Sequence, residues 1–483
     1  MANFLHGVET VEVNTGARPI RAVKAGVIGI IGTAPTLVDK TEPILITSKQ
    51  DADEKLGPAM LEFTLRRHVD IILKQGNATI VAVNVYDGTD HTVLIEDEVK
   101  TINAQGFFYL NEQLIFNPNN ANLVVKSFDE ETTYVRNEDY TFDEHGKITI
   151  TNPTLLETPN TQLKVTYRAH RASLVDDADI IGGITDGERS GLEVFDLAKT
   201  MYNFAPKIIL CPVFDFSTPV TDALIGKAET LRARALINAN PQVATVSDAI
   251  VERGPQGAFN FRTGSKRAVL CYPARLVPWK NGGNDIIGLA TFLAGVWSNT
   301  INKEGYWVSP SNHEMLGSGQ EQYRVTGGFS GPVEGAGEAN QLNEVGIVTH
   351  LNVFGKAPLT WGNRSAAWPT STAVDNFLPV LLTADVIDES IEDAMLPFID
   401  KPITNAVIDS IKETVNAFLN TLVGRGAVLP GSECVYDPAD NPVSELALGH
   451  LTFQNQYLPP TPAERITFKR YLYTELLANL QQQ

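Results

Sequence analysis

Two runs of uninterrupted apolar residues constrain this chain most. Ala25-Gly-Val-Ile-Gly-Ile-Ile-Gly-Thr33 stops at Ala34-Pro35, and Thr79-Ile-Val-Ala-Val-Asn-Val85 follows a stretch with helical spacing through Leu61, Leu65, Val69 and Ile72. A half-exposed strand alternates apolar and polar residues; these two do not, so both of their faces must be covered. Strand, helix and strand in that order predict a parallel sheet with helices on both sides. The alternation resumes near residue 180. Strands are expected over 207–213 and 267–272, and helices over 221–238, with Leu224, Leu231 and Leu236 inward, and over 284–303. Ser190-Gly-Leu-Glu193 has the pattern of a capping box at the start of a helix through Leu192, Phe195 and Met201. The clearest amphipathic helix covers 405–423, with Ile408, Ile411, Val415, Phe418 and Leu422 on one stripe and Gly424 and Gly426 behind it.

Between about 91 and 168 the texture changes. Short alternating runs at 121–126, 139–143, 147–151 and 163–167 are separated by Asn, Asp, Gly and Pro, and His145-Gly146 reads as a hairpin turn. This predicts a small all-β module inserted at the periphery of the α/β region. Both ends of the chain carry strand-like runs isolated by breakers: Val8–Val13 before Gly16-Ala-Arg-Pro19, and Ile466–Tyr473 after Pro459, Pro460 and Pro462. With 483 residues, several domains are expected. The division is an N-terminal strand arm (1–24), an α/β core in two parts (25–88 and 169–325), the inserted β domain (89–168), a mixed C-terminal domain (326–465) and a C-terminal strand arm (466–483). The fold class is therefore α/β plus α+β, and Gly327–Gly337 reads as a loop.

Composition excludes several functions. A net charge of −19, from 38 basic and 57 acidic residues, disfavours non-specific attraction to phosphate backbones. No run approaches the roughly 18 apolar residues of a membrane span, and the first nine residues lack the basic start of a signal peptide. Cys211, Cys271 and Cys434 are too few and too scattered for a disulfide framework or a metal site, so buried thiols in a reducing cytoplasm are expected. Lys227, Arg232 and Arg234 read as one solvated helix face.

The search for chemistry returns nothing. Gly26, Gly29 and Gly32 have the wrong spacing for a dinucleotide fingerprint and lie inside a strand, where they would let neighbouring backbone approach. No Gly-Lys pair is followed by Ser or Thr, His313-Glu314 lacks the second histidine of a zinc protease, and Pro332 spoils a nucleophile elbow at Ser330. The clusters Asp176-Asp177-Ala-Asp179 and Asp129-Glu130-Glu131 lack the glycine of a calcium loop and read as solvated surface. No catalytic, cofactor or metal residues are expected, and the chain is read as a non-enzyme.

Several segments together resemble the tail sheath proteins of contractile bacteriophages. His6-Gly-Val-Glu9, Arg18-Pro-Ile20 and Val27-Ile-Gly-Ile-Ile-Gly-Thr-Ala-Pro35 look like that family's N-terminal signature, followed in family order by Gln75–Val85. Gly305-Tyr-Trp307-Val-Ser-Pro310-Ser-Asn312 is similar to its G-x-W-x-x-P-A-N segment. Leu342-Asn343-x-x-Gly346-Ile347 and Thr360-Trp361-Gly-Asn-Arg364-Ser365 resemble its L-N-x-x-G-I-N and W-G-x-R-T pair, with Val348 and Ser365 as departures. Pro459-Pro-Thr-Pro462-Ala-Glu464-Arg-Ile-Thr-Phe468 is similar to its P-x-x-P-A-E-x-I-x-F.

The resemblance implies a subtilisin-like parallel-sheet core without a catalytic triad. It also implies a structural subunit that polymerises with itself, in stacked six-membered rings or an equivalent helix, around an inner tail tube. Contraction would drive that tube through the host envelope. Baseplate and tail terminator proteins would be further partners, with no direct nucleic acid contact and no membrane insertion. The expected place is the virion tail, after assembly in the host cytoplasm. Val8, Val11, Val13, Ile466, Phe468 and Tyr471 would sit on strands donated to neighbouring subunits, since unpaired edge strands recruit other chains. Asp409, Lys412 and Glu413 on the 405–423 helix are the candidate tube contact. Competing readings are the sheath of a bacterial contractile device, such as an R-type bacteriocin or injection system, and an α/β hydrolase with a β-sandwich appendage.

Overall fold

The computed structural model describes residues 20–36, 39–111, 123–143, 146–158, 160–279, 283–317, 319–326, 337–352 and 356–481. At its centre lies an eight-stranded sheet. In chain order its strands are β1 (Val27–Gly32), β2 (Ile44–Ile46), β3 (Thr79–Asn84), β4 (Ile208–Leu210), β5 (Arg234–Asn238), β6 (Ala268–Cys271), β7 (Ile347–Leu351) and β8 (Leu359–Trp361). Across the sheet they run β2-β3-β1-β4-β5-β6-β7-β8. The strands from β3 to β7 are parallel, and β2 and β8 flank them antiparallel.

The unbroken apolar runs are explained by burial on both faces. Ile28, Ile30, Ile80, Leu210 and Leu236 belong to one core, packed under helices α1 (Leu65–Gln75), α3 (Leu289–Lys303), α4 (Leu378–Met395) and α5 (Asn405–Arg425). Val27, Ile31, Val81, Ile209 and Ile237 face the other way, into a second core that includes Phe195 and, from helix α2 (Thr218–Thr230), Val220 and Leu224. The α5 stripe of Ile408, Ile411, Val415, Phe418 and Leu422 is buried as its spacing predicts, between a Thr404 cap and a left-handed Gly426.

Several expectations need correction. The 221–238 helix is really α2 followed by β5: Arg232 takes φ +50° and turns the chain, so Leu236 is inward on a strand. The 284–303 helix starts only at Leu289, after a strand at Asn284–Ile287. The first helix begins at Leu65, which leaves Leu61 exposed. Ser190 makes no cap; its hydroxyl accepts from Gly183 N–H at 3.1 Å, and a 3₁₀ turn over Gly191–Asp196 precedes a short helix on which Met201 is exposed. A Cβ on Gly29 would lie 2.9 Å from Phe195 and Pro206, so side chains, not neighbouring backbone, occupy the space it leaves. The Asp176 cluster is a working cap: Asp176 and Asp179 form a capping box for Asp177–Ile181, and Asp179 also accepts from His91.

Between β3 and β4, residues 92–170 form two antiparallel sheets. One joins Thr92–Thr101, Gln162–His170, Val124–Ser127 and Thr133–Tyr134; the other joins Phe107–Tyr109, Lys147–Ile150 and Tyr140–Phe142. Residues of both, including Phe108, Val125, Ile148 and Val165, make a separate apolar core. The strands on either side of the expected turn pair antiparallel, while His145 itself lies outside the described residues. Where this module leaves the main sheet, the Tyr86 hydroxyl and His170 Nδ1 are 2.7 Å apart and Phe63 stands edge-on to both rings. Burial pushes His170 down to about 4, so its ring is neutral at pH 7.

Candidate functional site

Three of the sequence segments singled out above meet at the sheet edge. Helix α3 stops before Gly305, whose φ is +119° and whose Cβ, were there one, would lie 2.6 Å from the Trp307 ring. The turn sets Trp307 edge-on to Tyr306 at 5.0 Å and then runs the chain beside β8. Asn312 N–H donates to Thr360 O at 2.6 Å, Thr360 N–H donates to His313 O at 2.9 Å, and the Thr360 hydroxyl donates to the carbonyl of buried Pro310. Gly362 N–H donates to Ser311 Oγ at 3.0 Å, and Asn343 Nδ2 reaches the carbonyls of Ile347 at 3.2 Å and Trp361 at 3.3 Å.

A fourth segment arrives from the C-terminal end of the chain. Arg364 presents its planar guanidinium to Glu464 as a two-pronged pair, Nε to Oε1 at 3.1 Å and Nη2 to Oε2 at 2.7 Å. The same guanidinium lies 3.6 Å from the Phe377 ring centre and 4.3 Å from that of Trp368. Arginine alone offers both the fork and the flat stacking surface. Pro462, Ala463 and Glu464 then wall a cleft of about 500 Å³ opposite Ser311, Asn343 and Trp361. Glu464 is half-exposed, so in a double-mutant cycle Arg364→Ala against Glu464→Ala should give a coupling of about 1 kcal/mol that shrinks with added salt. A coupling that is absent at low salt would show that the fork does not hold the segment.

Beyond Glu464 the chain leaves the body. Ile466, Phe468 and Tyr471 are 71%, 90% and 76% exposed, and Leu472 and Tyr473 are exposed as well. The strand expected over 466–473 is not formed: among the described residues these pair with no other strand, and a 3₁₀ helix follows at Thr474–Gln481. A strand exists only by pairing, and the described residues give this one no partner. Val8, Val11 and Val13 lie outside the described residues. Asp409, Lys412 and Glu413 are elsewhere, on the outward side of α5; Asp409 and Lys412 pair with each other at 3.2 Å and Glu413 is exposed.

The spacing of charges along the chain did not reveal a second cluster. Lys207, Arg234 and Arg267 stand at or just before the starts of β4, β5 and β6, where all three side chains point at the acidic side of α4. Arg234, fully buried, has Nη2 2.7 Å from Asp385 Oδ2; Arg267 Nη2 meets Asp385 Oδ1 at 3.0 Å, and Lys207 Nζ meets Glu389 Oε2 at 2.5 Å. Exposed pairs ring this centre, Arg232 with Glu392 at 2.7 Å and Lys199 with Asp393 at 3.1 Å. Neither Arg234 nor Lys227 lies on a solvated face, for Lys227 too is buried and bonded to Glu193 and Asp196. The missed signal was an acid at every third or fourth position of 385–393, which on a helix makes one acidic stripe.

At the opposite ends of the parallel strands, where open α/β sheets bind ligands, there is little room. A cavity of about 30 Å³ touches His68, Asn238, Cys271 and Tyr272, enough for one water. Beside it Asp215 is fully buried, with Oδ2 accepting from Asn238 N–H and Nδ2, both at 2.8 Å. Burial raises its carboxyl to about 7, against the pull of those donors. Cys211, Cys271 and Cys434 are all buried free thiols.

Comparison with known proteins adds lineage to this geometry. The phage tail sheath C-terminal domain family matches residues 375–472, the stretch that holds α4, α5 and the exit of the chain. Over 482 residues the chain is 36% identical to the tail sheath protein of Burkholderia phage BcepMu, covering 99% of each. It is 24% identical over 493 residues to the tail sheath protein of Escherichia phage P2, covering 99% of this chain and 98% of that one. Among solved structures, the helical sheath of the anti-feeding prophage in its contracted state superposes with a TM-score of 0.59 at 14% identity, over 97% of this chain and 99% of that one. This last likeness is one of fold.

Proposed function

The chain belongs to the contractile tail sheath family and is a structural subunit of a contractile sheath in the virion tail, and from that premise we propose how its parts are used. The two ends of the chain are linkers between subunits. Ile466, Phe468 and Tyr471 lie on a segment that adds as a strand to a neighbouring subunit, and Val8, Val11 and Val13 do the same from the other end. The single observation that carries this reading is the contrast at Glu464: a root fixed by a stacked, two-pronged arginine, followed by an apolar run that no described residue covers. An acceptor is at hand in the short β9–β10 pair, β9 being Glu433–Val435 and β10 Gln454–Gln456, a two-stranded sheet whose outer edges are unpaired among the described residues. Two strands alone are marginal, and added strands would complete them.

Between the linkers, the parallel-sheet core and the C-terminal region move as one block clamped by the Asp385 cluster. The block is a subtilisin-like core without a triad (25–88 and 169–325), an inserted β domain (89–168) and a C-terminal sheath domain (326–465). Subunits stack as rings of six, or as the equivalent helix, around an inner tube, with baseplate and terminator proteins at the two ends. Asp409, Lys412 and Glu413 face the tube from the outward side of α5, where Asp409 and Lys412 also pair with each other. No catalysis is involved; what supports this is that the relatives the chain matches are tail sheath proteins. The free energy of contraction is stored in the extended lattice and released as subunits rotate and bury more surface against each other. A heterologous contact that does not close gives such a tube.

Removing either linker tests the reading. A chain ending at Glu464, or one lacking residues 1–14, should remain a folded monomer by circular dichroism and yet build no tubes under the electron microscope. Tubes of normal length from both truncations would rule out strand addition.

A further inference from the structure

Within residues 92–170, three side chains meet in an arrangement that polymerisation does not require. Glu98 and Lys100 are two apart on the strand Thr92–Thr101, and their side chains are only 9% and 11% exposed. Asn111 follows the strand Phe107–Tyr109 of the other sheet. Lys100 Nζ is 2.5 Å from Asn111 Oδ1 and 3.2 Å from Glu98 Oε1. Glu98 is itself held in place: Oε1 accepts from the Asn111 backbone N–H at 3.3 Å, and Oε2 from the hydroxyl of Tyr167 at 2.9 Å, a residue buried in the core of the module.

An amine, an amide carbon and a carboxylate in mutual reach, with the carboxylate oriented by a further group, are the parts of a nucleophilic substitution. A carbonyl bond is about 1.23 Å, so Asn111 Cγ lies no more than about 3.7 Å from the lysine nitrogen. That is close to the roughly 3–3.5 Å of reacting atoms poised for attack. Exchanging the oxygen and nitrogen of the asparagine amide leaves Cγ where it is.

We infer that Lys100 and Asn111 are joined by an isopeptide bond that the chain forms by itself, with Glu98 as the proton carrier. Glu98 removes a proton from the Lys100 ammonium, and the freed lone pair attacks Asn111 Cγ. The new Cγ–Nζ bond forms as Glu98 passes its proton to Nδ2 and the Cγ–Nδ2 bond breaks. The proton shed by Nζ as it becomes an amide nitrogen leaves with the ammonia, as ammonium, and Glu98 ends as a carboxylate. Nothing is oxidised or reduced, and no second substrate enters. The bond closes the corner at which the chain crosses from one sheet of the module to the other, so the two sheets cannot be pulled apart there.

Peptide mass spectrometry on the denatured, trypsin-digested wild-type protein decides the matter. No Lys or Arg other than Lys100 lies between Gln75 and Leu123, and Lys126 is the next cleavage site. The expected product is therefore residues 75–126 in one piece, uncut at Lys100 and lighter than its sequence by one ammonia. The missing cut matters, because a succinimide at Asn111 has the same mass loss but leaves Lys100 cleavable. Glu98→Gln and Asn111→Ala should each release 75–100 and 101–126 separately. Wild-type protein that yields those two ordinary peptides overturns the inference; the readout is taken on unfolded chain, so it stands however the variants fold.

Discussion

Replacing Asp385 by alanine is expected to lower the stability of the folded monomer by about 3–5 kcal/mol. The carboxylate lies between two guanidiniums that water does not reach, Arg234 wholly and Arg267 almost wholly buried. Burial already pushes Arg234 down to about 10 even with Asp385 beside it. Without that partner, two cations share a low-dielectric site with no carboxylate between them, and the helix that carried it loses its hold on the starts of β5 and β6. The exposed pair Arg232–Glu392 makes the natural control: both side chains are more than a third exposed, and Glu392→Ala should cost no more than about 1 kcal/mol. Urea unfolding of the three proteins at one pH measures both numbers. An Asp385→Ala loss as small as that of the control would mean that apolar packing alone seats α4.

The second large effect depends on pH. Asp215 titrates near 7 in the folded protein, against 3.8 for the free side chain. The folded state therefore holds a proton that the unfolded state has already released between about pH 4 and pH 7. By linkage, stability from this group falls as pH rises through that window, and the full penalty, of order 4 kcal/mol at about 1.36 kcal/mol per unit, is present above it. Asparagine imitates the protonated acid, keeping one oxygen for the two Asn238 donors. Asp215→Asn should thus melt higher than wild type at pH 8, and the two curves should converge towards pH 4. Parallel curves across that range would mean that Asp215 ionises at an ordinary pH.

The parts of the fold that could be read in sequence are those in which neighbours in the chain are also neighbours in space. The run β1, α1, β3 declares itself because each element carries its own burial pattern, and the α5 stripe does the same. Arg364 and Glu464 stood out as motif residues, although nothing in their spacing says that they touch. β5 was hidden because Arg-Ala-Leu-Ile-Asn suits helix and strand alike, and the turn before it is made by Arg232 in a left-handed conformation, with no glycine to mark it. Arg234 looked solvated because its partner, Asp385, comes from a helix far along the chain. The tail runs the other way. Its alternating residues do describe a strand, but the described residues hold no ladder to complete it, and on the proposed linkage that ladder is a neighbour's.

That tail has a length, and the length has a mechanical meaning. Past the fork at Glu464, nine residues, 465–473, lead to the final short helix, and drawn taut they span about 30 Å at roughly 3.3 Å each. On the linkage proposed above, a leash of that size would act as a travel stop. Two subunits linked in this way would turn and slide over one another inside that radius and be held at its limit. That linkage would make the stroke of the whole sheath depend on the slack in a strap rather than on the shape of the blocks it joins.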